Sequence, residues 1–352
     1  MKKILLLCSL LLCLCLFSGC NHWMNGFYSN ITPNHSSQGS QTEDVVYVSS
    51  YETIRTALVS LVETGEQKAL LYASGLSDVM MEYHMDNAIT YIKTRNAIGA
   101  YAVKEISYEI GSHLGSAAIA VDLSYEHSRS EILRIKKASN MDEMLQLVRV
   151  ALEDFQTDLV VKVERYNNRD LVQYARDYMD RNPQKCMEMP QMTVSTYPDS
   201  GSQRVIEIRF SYQTSRDTLR DMQQSVSDIF TSAQYYIDAN ATTSEKFAQL
   251  YAFLMPRYAY KLDTSITPSY SLLRHGVGDS KAFATVFSAM CRQVGLDCEV
   301  ISGTKQGEAW HWNIVRVDDI YYYVDLLANP EVHTIVFKTE EEMAGYVWDF
   351  SV

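Results

Sequence analysis

The chain has 352 residues, more than a single hydrophobic core usually serves, so we expect two or three domains. Hydrophobic residues make up 47% and charged residues 21%, which is the composition of a folded protein rather than a disordered one. The formal net charge of -12 argues against a nucleic-acid partner, because phosphate binding depends on clustered Lys and Arg.

The start of the chain is arranged like a secretory signal. Lys2 and Lys3 precede an apolar run at residues 4–17, and Ser-Gly-Cys follows at residues 18–20. A basic segment, an apolar segment and small residues in that order are typical of a signal peptide, and this apolar run is short for a membrane-spanning helix. We therefore expect residues 1–19 to be removed and the rest of the chain to be exported.

A Cys directly after Ser-Gly resembles the lipobox of bacterial lipoproteins, in which the thiol receives diacylglycerol and becomes the new N-terminus. This resemblance implies lipidation at Cys20 and the cell membrane as a partner, although Phe17 stands where Leu is commoner. The alternative is an ordinary signal peptide that happens to contain a Cys. Residues 20–44 are polar and rich in Ser, Asn and Gln, which predicts a flexible tether that holds the folded part outside the cytoplasm.

The next two stretches of the chain repeat one order of patterns. Each reads as a helix, a strand, a second helix and a pair of strands joined by a turn. Landmark residues recur at an offset of 86 or 87 residues: Asn96 with Asn182, Gly115 with Gly201, and Tyr125 with Tyr212. A near-constant offset predicts duplication of one α+β unit.

We expect the two units at residues 45–128 and 139–213, with antiparallel strands. The apolar residues Ile206, Ile208 and Phe210 alternate with polar ones, which indicates a sheet with one covered and one wet face. No motif for catalysis or phosphate binding stands out in either unit, so both read as a structural platform. A long helical pattern at residues 214–239 then predicts a bridge into the last domain.

The cysteines beyond the start of the chain show neither zinc spacing nor a disulfide framework. Cys291 and Cys298 could pair across a helix-to-strand turn, but two separately buried thiols are favoured, since free Cys is often simply buried. We predict no metal and no cofactor.

From residue 240 onward, three motifs follow one another: the helix EKFAQLYAFLMPRY, the segment SYSLLRHGVGDSKAFATVFSAMCRQVGLDCEVISG and the hairpin WHWNIVRVDDIYYYVD. Their order resembles the transglutaminase-like superfamily, whose core is a papain-like Cys-His-Asp arrangement. The resemblance implies that residues 240–352 form a domain with a central helix packed on an antiparallel sheet. The expected fold class is therefore α+β, with two repeated units followed by this domain.

The position of the family's nucleophilic Cys is occupied by Ser280. In the family the helix N-terminus stabilises a thiolate, whereas a Ser hydroxyl needs a base to remove its proton during attack. A simpler role is also open, because Asp279 or Ser280 would cap the helix that follows.

The position of the family's base is also substituted. The family pattern places His two residues before a Trp-Asn pair, and that residue is Trp310. If Asp318 and Asp319 form a two-residue turn, Asp325 shares a face of the hairpin with Trp310, and His311 points the other way. A β-bulge could re-aim His311, which would restore a triad of Ser280, His311 and Asp325.

Three hypotheses follow for the function. The first is an inactive surface lipoprotein that binds a peptide, protein or glycan of the cell envelope through Trp310, Trp312 and Tyr322. For any single one of these aromatics, core packing beneath the hairpin is slightly favoured over ligand contact. The second is an acyl hydrolase of transglutaminase or protease type that uses Ser280, His311 and Asp325 on cell-envelope peptides. The third is a structural spacer or assembly protein.

Overall fold

A computed structural model describes residues 46–262, 268–328 and 334–348. The predicted signal segment, Cys20 and the tether lie outside the described residues. Among the described helices, none is both long and apolar enough to cross a membrane.

The first α+β unit is a four-stranded sheet covered by helices. Its strands have the order β1-β2-β4-β3 and are β1 (Val46–Val48), β2 (Lys68–Ala73), β3 (Val103–His113) and β4 (Ser116–Tyr125). Its helices are α1 (Tyr51–Thr64), α2 (Asp78–Thr94) and α3 (Ala97–Ala102). Helix α1 begins where the Ser50 hydroxyl accepts the Thr53 amide, and it ends at Gly65, whose φ of 66° suits a residue without Cβ.

The second sheet has the same strand order and the same connectivity as the first. Its strands, in the order β5-β6-β8-β7, are β5 (Lys136–Ala138), β6 (Asp158–Val163), β7 (Gln191–Tyr197) and β8 (Arg204–Ser211). Helix α4 (Arg129–Leu133) precedes this sheet and buries Ile132 in the core of the first unit, whereas α5 (Met141–Glu153) and α6 (Leu171–Arg181) belong to the second.

Each of these sheets begins with a short strand that was not predicted. Strand β1 pairs parallel with β2, and β5 pairs parallel with β6, whereas the remaining pairs are antiparallel. Strand β5 also starts before residue 139, where we expected the second unit to begin. Three-residue strands carry too few side chains to show a periodic pattern. The boundaries of the two units stay a prediction.

The predicted helical bridge is present as α7 (Arg216–Tyr236), which is followed by α8 (Thr243–Leu254). The start of α8 is a capping box, because Thr242 and Glu245 each bond the other's backbone amide. One face of α7 is buried in the same core as Phe155 of the second unit and Phe247 of α8. The second unit and the last third of the chain therefore share a core.

The last third places a buried helix against an antiparallel sheet. Its helices are α9 (Pro268–His275) and α10 (Ser280–Gln293). The sheet has the order β13-β12-β11-β14, with strands β11 (Cys298–Lys305), β12 (Glu308–Val317), β13 (Ile320–Val324) and β14 (Tyr346–Val347). A parallel pair of two-residue strands, β9 (Ala259–Tyr260) and β10 (Val277–Gly278), leads into α10. The predicted α+β fold class is confirmed.

The three cysteines of the described residues, Cys186, Cys291 and Cys298, are buried free thiols. Burial raises the pKa of Cys291, and a hydrogen bond with Cys298 raises it further. The two thiols are therefore buried without a disulfide, as expected, and the hydrogen bond places them next to each other.

Strand β11 approaches its neighbours closely at Gly303. A Cβ at this position would lie against the Val347 carbonyl and 2.7 Å from the Trp312 ring. We expect Gly303→Ala to lower the free energy of unfolding by about 2–3 kcal/mol, because overpacking forces the neighbours apart. In the matched variant Gly111→Ala, the new Cβ has no atom within 4 Å. Chemical denaturation of both variants should show a loss only for Gly303→Ala, and equal losses would contradict the close approach.

Candidate active site

The N-terminus of α10 holds Ser280 against strand β12. The cap is Asp279, whose carboxylate accepts the Ala282 amide at 2.8 Å. Ser280 is only 6% exposed, and its Oγ accepts the backbone N–H of His311 at 3.2 Å. Within the described parts of the chain no basic side chain is hydrogen-bonded to this hydroxyl.

The hairpin of β12 and β13 has the predicted register. Asp318 and Asp319 form its turn with φ values of 51° and 66°, and Val317 pairs with Ile320. Turns in which both central residues have positive φ match the twist of the two strands. The side chain of Asp325 therefore lies on the face of β12 that carries Trp310, as predicted.

The carboxylate of Asp325 is enclosed by donors from three other side chains. Its Oδ2 accepts hydrogen bonds from Lys305 Nζ at 2.7 Å, Trp310 Nε1 at 3.1 Å and Tyr346 Oη at 2.5 Å. Its Oδ1 accepts the backbone N–H of Leu327 at 3.0 Å. The side chain is 1% exposed. We call Asp325, Lys305, Trp310 and Tyr346 the Asp325 cluster.

The negative charge of Asp325 is balanced within the Asp325 cluster. The Lys305 ammonium pairs with the carboxylate and lies 4.8 Å from the Trp310 ring centre and 5.2 Å from that of Tyr346. Burial, followed by the hydrogen bond and charge of Asp325, raises the pKa of Tyr346, so its hydroxyl stays protonated and donates. The ring of Tyr260 packs over Trp310, with ring centres 5.5 Å apart.

His311 lies apart from this cluster. Burial lowers the pKa of its imidazole, the charge of Lys281 lowers it further, and Asp279 and Asp180 act against them. Its ring makes no hydrogen bond to any described residue. The backbone N–H of His311 donates to Ser280, and the register sends the His311 side chain away from Asp325, as expected, so the alternative triad of Ser280, His311 and Asp325 is not assembled.

The three aromatic residues that we expected to bind a ligand do not share a surface. Trp312 is 0% exposed and packs edge-on against Tyr346 and Trp348, so its assignment to an open cleft is corrected to a core role. Tyr322 pairs with Val315 on the helix-facing side of the sheet, opposite the side that carries Trp310. Of the three, Trp310 is half-buried, but it is engaged with Asp325.

Residues 231–333 match the family model described as the transglutaminase-like superfamily. This segment is a transglutaminase-like domain. The match begins inside α7 and covers Ser280, Trp310 and Asp325.

The comparison with solved structures found partial similarities with low sequence identity. A TGase has 9% sequence identity and a TM-score of 0.28, covering 55% of this chain and 59% of its own. A candidate cysteine protease from Cytophaga hutchinsonii has 11% identity and a TM-score of 0.26, covering 45% and 70%. A candidate protease from Parabacteroides distasonis has 10% identity and a TM-score of 0.24, covering 73% and 39%. This chain therefore spans less than two thirds of the TGase. No curated protein matches the sequence.

Sequence reasoning missed two members of the Asp325 cluster in the transglutaminase-like domain. Lys305 could have been found, because residues that pair in an antiparallel sheet share a face, and Lys305 pairs with Glu308, two residues before Trp310. Tyr346 belongs to a two-residue strand far along the chain, and nothing in the local pattern connects it with Asp325.

Removal of the Lys305 charge should destabilise the domain. Lys305 is 24% exposed at its side chain and Asp325 is 1% exposed, so Lys305→Met leaves a buried carboxylate without its counter-ion. We expect the free energy of unfolding to fall by about 2–3 kcal/mol, measured by urea denaturation. The double variant Lys305→Met with Asp325→Asn should recover part of this loss.

The matched control is Lys68→Met. Lys68 pairs with Asp122, but the two side chains are 81% and 56% exposed, so solvent screens their attraction. We expect little change in stability. If Lys305→Met lowers the free energy of unfolding no more than Lys68→Met does, Lys305 is not needed to balance the buried charge of Asp325.

Proposed function

We propose that this protein is a catalytically inactive lipoprotein with a transglutaminase-like domain, anchored to the cell membrane through Cys20 and facing outside the cytoplasm. On this proposal it binds a peptide, protein or glycan of the cell envelope. The observation that carries the proposal is the saturation of the Asp325 carboxylate by Lys305, Trp310 and Tyr346.

A triad needs its carboxylate for a specific task. The acid orients the imidazole and stabilises the imidazolium that forms when the base takes a proton. At the base position this chain has Trp310, whose indole N–H can only donate. The charge of Asp325 is balanced by Lys305 instead of a catalytic cation. These features support a site that no longer moves protons.

The nucleophile position supports the same conclusion. A Ser hydroxyl attacks an acyl group only when an adjacent base receives its proton. Ser280 is buried, and its Oγ accepts a hydrogen bond from a backbone amide of β12. This hydrogen bond helps to hold α10 against the sheet. A retained fold without its chemistry is compatible with binding, which is the use that we propose for the domain.

The absence of acyl chemistry can be tested with a serine-reactive acyl phosphonate. We expect the full-length protein in detergent to show no labelling above that of Ser280→Ala, because no base activates Ser280. A serine hydrolase in the same reaction verifies the reagent. Labelling that is lost in Ser280→Ala would overturn the proposal and would favour the acyl hydrolase.

The anchor can be tested by growing expressing bacteria with an alkyne fatty acid. We expect the protein to carry the label and to sediment with membranes, and Cys20→Ala to lose both properties. Cys15→Ala is the matched control, since that residue precedes the predicted cleavage point and should not alter labelling. If Cys20→Ala keeps the label, lipidation at this residue is wrong.

A further inference from the structure

A cavity of about 550 Å³ lies between α6, the segment 183–189 and the helices α9 and α10. This volume is within the range of about 300–1,000 Å³ that is common for ligand sites. We propose that the cavity binds the C-terminal residue of a peptide, with an apolar side chain inside and the carboxylate at Arg176. This proposal rests on the proposed function and names the ligand class.

The apolar part of the cavity is rich in methionine. Met179 comes from α6, and Met187 and Met189 come from the segment that follows it. Tyr270 and Ala282 contribute from the other side. Methionine side chains are unbranched and polarisable, so they adapt to apolar groups of different shape. A wall of this kind suits the side chain of a peptide better than the hydroxyl groups of a glycan.

Among the described residues that line the cavity, one cation has no partner. Lys281 forms an ion pair with Asp180 at 2.8 Å. The carboxylate of Glu188 is 3% exposed and accepts the backbone amides of Gln213 and Thr214. Arg176 has no ion pair or hydrogen bond with any described residue. Its planar guanidinium matches the two oxygens of a carboxylate.

A buried hydroxyl in the cavity wall also lacks a partner. Thr285 is 3% exposed, and its Oγ1 has no hydrogen bond within the described residues. Buried polar groups are nearly always hydrogen-bonded, so such an exception needs a physical reason. The Oγ1 atom is itself buried, so a change of the Thr285 rotamer would bring it to a backbone carbonyl or amide of a bound peptide, which would supply the missing partner.

The two walls of the cavity come from different parts of the chain. Helix α6 belongs to the second α+β unit, and α10 belongs to the transglutaminase-like domain. The Asp180–Lys281 ion pair joins them, and Arg292 Nη2 donates to the Arg181 carbonyl at 2.5 Å. The cavity is lined by Lys281, Ala282 and Thr285 of α10 and not by Asp325 or Trp310, and Lys281 directly follows Ser280 in the sequence.

The test measures fluorescence polarisation with the full-length protein in detergent. The probes are N-terminally fluorescein-labelled hexapeptides Gly-Gly-Ser-Gly-Gly-X with a free C-terminus, where X is Leu, Met or Phe. We expect at least one to bind and its C-terminal amide to bind at least about tenfold more weakly, since a charge-assisted hydrogen bond is lost. Replacement of X by Ser should weaken binding by a similar factor.

Two variants of cavity residues test whether the peptide binds in the cavity. Arg176→Gln should reduce the affinity of the free acid to that of the amide, whereas Arg220→Gln, an exposed arginine on α7 that does not line the cavity, should change nothing. Thr285→Val keeps the side-chain shape and removes the unpaired hydroxyl. We expect an equal or higher Tm and an affinity about fivefold lower. A purely structural Thr285 would leave the affinity unaltered.

The outcomes separate this proposal from the proposed function. Failure of all three peptides to bind, or binding that is insensitive to amidation and to Arg176→Gln, would overturn the cavity as a C-terminus site. The inactive site would stand in that case, as long as the phosphonate does not label Ser280. Labelling of Ser280 would overturn the proposed function whatever the peptides show.

Discussion

The structure of the transglutaminase-like domain depends on the burial of one charge, that of Asp325. A carboxylate that is 1% exposed is costly unless charge and hydrogen bonds compensate it, and here Lys305, Trp310 and Tyr346 do so together. These donors come from β11, β12 and β14, so satisfying one carboxylate joins three strands of the sheet. The acid at the triad's Asp position thus acts as a structural centre.

The face of β12 opposite Trp310 packs against helix α10. Asn313 Nδ2 donates to the Ala284 carbonyl of α10 at 2.9 Å, and the amide of His311 donates to Ser280. Side chains alternate along β12, so residues that contact α10 alternate in sequence with residues that face Asp325. This alternation separates His311 from Asp325, since it sends adjacent side chains to opposite faces.

The fold class, the hairpin register and the contact of Trp310 with Asp325 followed from local patterns. A two-residue turn determines the pairing of its strands. Once the turn is placed at Asp318, the alternation of side chains therefore predicts which face of the hairpin carries Asp325. The burial of Trp312 and the presence of Tyr346 could not be predicted in this way. They depend on β14 and Trp348, which reach this face from 20 or more residues beyond Asp325. The short parallel strands β1 and β5 were missed because three residues show no period.

The two α+β units differ most where each one meets the next part of the chain. In the first unit the connection from α2 to β3 contains α3, and Tyr101 of that helix packs edge-on against Tyr197 of the second unit, with ring centres 5.4 Å apart. In the second unit the corresponding connection from α6 to β7 has no helix, and its Met187 enters the core of the transglutaminase-like domain. The corresponding connection of each unit therefore contacts the next part of the chain. The connection from α6 to β7 leaves space beside α10, and this space is the methionine-lined cavity with Arg176 at its wall.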